Sequence, residues 1–411
     1  MKLDSFESLV RPPTRCVHTF DAVMTVRAVL CATPVYVQFV CVGVNRYMLG
    51  FAPWNPAWSG HYDRRVTASF PARLPVVLAP MAGGPSTPAL AAAVSNAGGL
   101  GFLAGALLTP EQLDERLTEL ETLTSAPYGI NLFLPSAHIA VADEMEAYRQ
   151  SLTALAAELG VEPGPATPGA DDIDDVVDVV CAHRPAAVSV TFGRPGTELT
   201  RRVHDIGALM VGTVTSVAEA QMAVEDGADM LVVQGSEAGG HRGVFTDDTS
   251  SMRGGPAMSL ASLLVAVGLS VEVPLIAAGG IMDGSAVVAA LGLGAVAAQM
   301  GTAFLCSDEA GTTDVHRAAL LDGRYRRTVV TRAFSGRPAR GLENEFAQTH
   351  TDTAPAGYPD VNAITGPIRK AATAAGRADV PNLWAGTGWR AVTAAPAAEI
   401  VARVVAEMES A

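Results

Sequence analysis

ALMVGTVTSVAEAQMAVEDGADMLVVQG, residues 208–235, carries one complete strand–helix–strand unit, and its reading decides the fold. ALMVGTV and DMLVVQG are short and almost continuously apolar, as a strand must be when both faces of a parallel sheet are covered. Between them, Ser216-Val217-Ala218-Glu219 sets a hydroxyl three residues before a glutamate, the pattern of a capping box that starts a helix. Gly227 ends that helix, because only glycine takes the left-handed conformation there without cost.

The same texture extends in both directions. Reading outward gives eight strands: PVVLAP from Pro75, GLGFLA from Gly99, YGINLF from Tyr128, AAVSVTF from Ala186, the two already quoted, PLIAAGG from Pro274 and AVAAQMG from Ala295. Thr109-Pro110-Glu111-Gln112 offers a second capping box, with proline at the first helical position. Strands that alternate with helices in this way predict an α/β fold, a (β/α)₈ TIM barrel over residues 74–302. Gly99-Leu100-Gly101 and Gly292-Leu293-Gly294 imitate a dinucleotide fingerprint, but each leads from a helix into a strand, the reverse of the order phosphate binding needs.

Two segments flank the barrel. Residues 1–73 hold eight Lys or Arg against four Asp or Glu, whereas the chain as a whole carries −14, and they show no clear period. They read as a poorly structured N-terminal extension. Its apolar run, residues 28–44, contains Pro34 and Gln38 and is shorter than the ~20 residues of a spanning helix, which weighs against a membrane anchor. Residues 303–411 form a C-terminal appendage expected to pack near the barrel mouth. It includes GRPARGLENEF from Gly336, a Pro/Gly-rich stretch GYPDVNAITGP from Gly357, a helix, and NLWAGTGWR with its two tryptophans.

Composition removes several classes of function. At 411 residues and 49% hydrophobic content the chain can bury a large core. A net charge of −14 disfavours nucleic acid or an anionic membrane as partner and favours a small molecule. Five cysteines without CxxC spacing suggest neither a disulfide framework nor a zinc site, and suit a reducing cytoplasm. The chain's two lysines, Lys2 and Lys370, both lie outside the strands, so lysine-imine chemistry is disfavoured.

In a barrel the active site forms where strands exit at their carboxyl ends. The first strand leaves through Ala79-Pro80-Met81, the third through Asn131, the seventh through Gly279-Gly280 and the eighth through Gln299-Met300-Gly301-Thr302. Glycine-rich exits of the last two strands are the usual place for a phosphate. A sugar-phosphate isomerase or epimerase, working without a cofactor, would use the same phosphate site. It would also want paired carboxylates, a Glu/His pair or a metal, and the rim offers no such set and no metal-ligand cluster. Amides, backbone and methionine suit instead a phosphorylated aromatic heterocycle such as a flavin.

The sixth strand exits through Gln234 into GSEAGGHRGVF, residues 235–245. With FMN in the mouth, Gly239 and Gly240 let this loop turn tightly against the ring, and His241 arrives where a substrate must sit, to accept a proton from carbon or steady an anion. Glu237 and Arg242 read as salt-bridge partners within the loop. Cys181 and Cys306 read as packing residues.

On APMAGGPSTPALAAAVSNAGGLGFLAG from Ala79, NLF from Asn131, QGSEAGGHRG from Gln234, AAGGI from Ala277, QMGTAFL from Gln299 and YPDVNAITGPIRKAATAAGRADVPNLWAGTGWR from Tyr358, the chain resembles the nitronate monooxygenase family, formerly 2-nitropropane dioxygenases, and its class I members in particular. The resemblance implies a TIM-barrel flavoprotein. Asn131, Gln234, Gly239, Gly280 and Gln299 to Thr302 are then FMN contacts, Ala79 to Met81 lie beneath the ring, and His241 is the catalytic histidine. It also implies oxidation of an alkyl nitronate, such as propionate 3-nitronate, by O₂ to a carbonyl compound and nitrite, a detoxification. His241 could serve as imidazolium or as neutral base. The nearest alternative is an NAD(P)H:quinone or enoyl reductase on the same flavin barrel.

Overall fold

The computed structural model describes residues 70–135, 139–166 and 173–411. Apart from residues 70–73, the N-terminal extension with its apolar run lies outside the described residues.

All eight expected strands form, and they are parallel. They are β1 (Val76–Leu78), β2 (Gly101–Ala104), β3 (Tyr128–Phe133), β4 (Ala187–Thr191), β5 (Leu209–Val214), β6 (Met230–Gln234), β8 (Leu275–Ala278) and β9 (Ala297–Met300), with a two-residue β7 (Gly240–His241) outside the barrel. The order runs β1-β9-β8-β6-β5-β4-β3-β2. A parallel bridge between Val77 and Leu100 joins β1 to the entry of β2 and closes the cylinder.

The strands' two-residue period sorts their side chains into two cores. Val77, Phe102, Val211, Val232 and Ile276 fill the barrel interior. Their neighbours Val76, Leu78, Leu103, Val188, Val190, Leu231 and Val233 pack outward against the helices. Truncating Leu103 or Ile130 to alanine would cost roughly 2–5 kcal/mol, since both are fully buried. The alternation also decides which rim residues face inward. Gln234 follows the outward Val233, and Gln299 lies between outward Ala298 and Met300.

Helices α1 (Pro88–Asn96), α2 (Pro110–Leu123), α3 (Ala142–Ser151), α4 (Thr153–Glu158), α5 (Ile173–His183), α6 (Thr197–Asp205), α7 (Val217–Glu225), α8 (Leu260–Gly268) and α9 (Gly284–Gly292) connect the strands. At α2 both halves of the capping box form, Thr109 with the Gln112 N–H and Gln112 with the Thr109 N–H. At α7 only one half does. Ser216 accepts from the Glu219 N–H, but Glu219 turns away. Its buried carboxylate accepts from the Thr215 N–H at 2.6 Å and, through its other oxygen, from the Phe245 N–H at 2.8 Å. Two backbone donors from different loops, one of them buried, hold it away from the helix start.

Beyond the barrel come α10 (Asp314–Leu321), β10 (Thr328–Thr331), β11 (Ala339–Leu342), α11 (Glu345–His350), α12 (Asp360–Ala374) and α13 (Ala397–Ser410). β10, β11 and β7 make a small antiparallel sheet, in which Ala339 pairs with His241 and Arg340 with Gly240. The Pro/Gly-rich stretch from Gly357 is largely helical, because α12 begins at Asp360 and carries Pro367 in its interior. Gly164 packs there, where a Cβ would come 2.1 Å from the Ala363 carbonyl oxygen, the acceptor that Pro367 cannot serve. α13 returns to the outer layer against α9, so closely that a Cβ on Gly284 would fall 2.3 Å from the Val404 carbonyl oxygen. No helix among the described residues is long and apolar enough to cross a membrane.

Candidate active site

A cavity of about 670 Å³ opens at the carboxyl ends of the strands, within the usual range for a cofactor or substrate site. Of the rim residues expected from the sequence, Met300 alone does not line it. Its side chain is buried in the outer core, and its carbonyl accepts from the Ala79 N–H at 2.9 Å, holding β9 to the end of β1. One residue of register places it on the wrong face.

The exits of β8 and β9 occupy the same pole. Gly279 and Gly280 have φ of +123° and +73°, which a side chain would resist. Residues 386–388 tie this turn to the next: the Gly386 N–H donates to Thr302 Oγ1 at 3.0 Å, and a Cβ on Gly388 would lie 2.8 Å from the Gly280 carbonyl oxygen. On the far side, Asn131 donates from Nδ2 to the Ser189 hydroxyl at 2.8 Å, which leaves its amide fixed toward the barrel axis.

His241 stands on β7 between these regions. Gly240, with φ +72°, turns the chain, and Gln234 clamps the turn, donating to the His241 carbonyl at 3.0 Å and accepting from the Gly243 N–H at 2.9 Å. Gln234 thus lines the cavity while its amide serves the loop. Gly239 allows close approach, since a Cβ would fall 2.5 Å from the carbonyl carbon of Ala385. Glu237 and Arg242 do not pair as expected. Glu237 accepts from the Leu260 N–H at 2.9 Å, and Arg242 donates to the Pro256 carbonyl at 2.9 Å. Each satisfies backbone that the glycine-rich loop cannot reach.

Four aromatic rings surround the imidazole: Phe192 and Trp384 at 5.6 Å between centroids, Tyr358 at 5.8 Å and Phe133 at 6.3 Å. Nε2 lies 2.8 Å from Ser335 Oγ. Burial, reinforced by the guanidinium charges of Arg337 and Arg369, pushes the imidazole pKa down to about 3. His241 is therefore neutral at physiological pH.

Both arginines are fixed by hydrogen bonds to neighbouring groups. Arg337 is buried, donates to the Val244 carbonyl and lies 3.9 Å above the Phe192 ring centroid. Arg369 donates to Thr365 Oγ1 at 3.0 Å, Asn382 Oδ1 at 2.6 Å and Asn362 Oδ1 at 2.7 Å. Desolvation lowers each guanidinium to about 10, still charged at neutral pH. Among the described residues no aspartate or glutamate lines the cavity, whereas Arg369 and Lys370 do, so this wall is positive in a chain that is otherwise acidic.

Sequence reading missed Arg369, Lys370, Asn362 and Trp384, which all line the cavity. A signal existed. Asn362, Gly366, Arg369, Lys370 and Thr373 fall at helical spacing, so one face of α12 is polar or small where a packed helix would be apolar. His316 was also missed; it is buried in the wall, its pKa pushed down to about 4 by desolvation. Cys181 lies in α5 and Cys306 is buried, and burial raises both thiols, which fits packing rather than nucleophilic roles.

The lining residues suit a flavin. Gly240 and Gly366 border the cavity where an added Cβ would meet open space. Amides, glycine turns at one pole and nearby cations supply the donors that a heterocycle and its phosphate require.

The chain matches the family model described as nitronate monooxygenase over residues 66–407. It is 37% identical over 345 residues to a probable nitronate monooxygenase of Staphylococcus saprophyticus, covering 83% of this chain and 96% of that protein. A probable nitronate monooxygenase of Bacillus subtilis is 36% identical over 327 residues, covering 78% of this chain and 91% of the relative. Among solved structures, nitroalkane oxidase from Streptomyces ansochromogenes superposes with TM-score 0.80 at 42% identity, covering 84% of this chain and 98% of its own. FabK from Thermotoga maritima follows at TM-score 0.66 and 28% identity, covering 84% and 96%.

Proposed function

This chain belongs to the nitronate monooxygenase family, a flavin-dependent oxidoreductase, and from that premise we propose that it binds FMN and oxidises alkyl nitronates with O₂ to a carbonyl compound and nitrite. FMN, when bound, supplies the electron transfer that no side chain can. The glycine turns after β8 and β9 would hold its phosphate, and Ala79 to Met81 with Asn131 would border its ring.

The observation that carries the reading is the placement of His241: its imidazole lines the cavity, ringed by four aromatic side chains and 2.8 Å from Ser335 Oγ, with no carboxylate among the described lining residues. A neutral imidazole accepts a proton from the carbon of a nitroalkane, whereas an imidazolium cannot. Arg369 and Arg337 meanwhile provide the positive field that stabilises the nitronate anion so formed. A preformed nitronate needs no proton removed and depends on the cations alone.

Nitrite release tests this. Wild-type protein loaded with FMN should release nitrite from a nitronate in air, and His241→Asn should keep most of that turnover while losing most turnover of the neutral nitroalkane. Absence of nitrite from any nitronate in a small panel, together with oxidation of NAD(P)H by the loaded protein, would replace this reading by a reductase on the same barrel.

A further inference from the structure

β4 delivers alternate side chains to the two cores, Val188 and Val190 outward, Ser189 and Thr191 toward the barrel axis. Continued alternation would send residue 192 outward into the helical layer. It does not go there. Phe192 has φ +80°, a left-handed backbone that is a genuine outlier for a bulky side chain. The turn brings its ring back against the His241 imidazole, where it is 1% exposed. There it meets Phe133 at 4.4 Å, Tyr358 at 5.6 Å and the His241 imidazole at 5.6 Å and 89°, edge against face. The Arg337 guanidinium lies 3.9 Å above its centroid.

We propose that Phe192 is a positioning residue for the reaction, holding the His241 imidazole and the Arg337 guanidinium in one fixed arrangement and excluding water from between them. An aromatic ring has a negative face and a positive edge, so a single ring can anchor a cation on its face while meeting another ring edge to face. Strain kept at such a position marks function, because packing alone would be served by the unstrained outward rotamer. The groups that face His241 are Arg337 on the segment before β11, Arg369 on α12, Tyr358 just before α12 and the Ser335 hydroxyl. Removing the ring admits water and loosens Arg337, and both changes ease protonation of the imidazole.

The inference rests on reading His241 as proton acceptor, and the test separates the two. The titration midpoint of His241 is followed by NMR in flavin-free protein, and the acid limb of nitroalkane turnover in FMN-loaded protein. Phe192→Gly keeps the left-handed backbone without strain and deletes only the ring; Phe192→Leu is a second ring-free variant, and Phe192→Tyr keeps the ring. In both ring-free variants the midpoint should rise by about one pH unit or more, with the acid limb moving equally, and Phe192→Tyr should restore the wild-type values. Arg337→Met, which leaves the ring, should raise the midpoint by part of that amount. Folded ring-free variants with an unmoved midpoint would overturn the proposal, whatever their melting temperature. A midpoint that rises while the acid limb stays fixed would uphold the positioning role and reject His241 as the base.

Discussion

His241 Nε2 lies 2.8 Å from Ser335 Oγ, and that hydroxyl is itself 3.3 Å from the Arg337 carbonyl, to which it donates. The same oxygen lies 3.5 Å from the Arg337 N–H, so Ser335 is tied to the 335–337 turn on one side and to Nε2 on the other. In either tautomer this contact fixes the orientation of the imidazole ring. Ser335→Ala removes this anchor at a cost of about 1–2 kcal/mol in the reacting arrangement, roughly tenfold in rate. Turnover of a neutral nitroalkane should fall by about that factor, and turnover of a preformed nitronate much less. Equal losses on both substrates would assign Ser335 a purely structural role.

Gly239 tests the loop by a different route. Its Cβ would stand 2.5 Å from both the Ala385 carbonyl carbon and the Gly386 nitrogen, backbone that cannot yield like a side-chain tip. Gly239→Ala should therefore shift the 385–388 segment away from the Gly280 and Thr302 turns, destabilising by roughly 1–3 kcal/mol. Weaker retention of FMN on gel filtration should accompany a lower melting temperature. Gly240→Ala, with open space around the Cβ but φ +72°, should cost only about 1 kcal/mol.

The barrel was legible because a buried parallel strand and an amphipathic helix leave separate periods in the sequence, and eight such pairs leave little choice of topology. The rim was legible for the same reason, since it consists of the residues that follow each strand. Met300 was misplaced because the loss of alternation in a strand apolar on both faces hides which side each residue takes. The partners of His241 were hidden more deeply. Ser335, Arg337, Tyr358 and Arg369 lie about a hundred residues beyond it, and β7 pairs with β11 through two residues, too short a strand to leave a period.

Leu107 is a second non-glycine residue with left-handed backbone, φ +67°, and it is 55% exposed on the cavity rim. An exposed leucine gains little from burial, so nothing in the fold alone offsets the roughly 1–2 kcal/mol of strain. Leu107→Gly relieves that strain and adds about 0.5–1 kcal/mol of unfolded-state entropy, so the melting temperature should hold or rise slightly. Affinity for FMN or the KM for larger nitroalkanes should worsen in the same variant. A variant that melts lower and binds unchanged would mean that Leu107 serves the fold instead.

Acid stability follows from two histidines whose folded-state pKa is lowered by desolvation. The folded-state pKa values of His241 and His316 are pushed down to about 3 and about 4, below the ordinary 6.5 of the unfolded chain. Between those values the unfolded state binds more protons, so stability rises with pH. Their contribution is complete above 6.5 and drains away as pH falls through 4 toward 3. The limiting slope is on the order of 1.4 kcal/mol per pH unit for each histidine. His183, raised by Asp114 and Glu121 against its own desolvation, works in the opposite sense, contributing most below 6.5. Carboxylates such as Asp226, lowered by Arg194, lose their contribution only below the ordinary carboxylate range. Calorimetry of flavin-free protein between pH 7 and pH 5 therefore isolates the histidines, and a His241→Asn/His316→Asn protein, which keeps His183 and every carboxylate, serves as the reference. The wild type should lose markedly more melting temperature over this window than the double variant; parallel losses would mean that both imidazoles are already hydrated in the folded protein, and that burial does not hold His241 neutral.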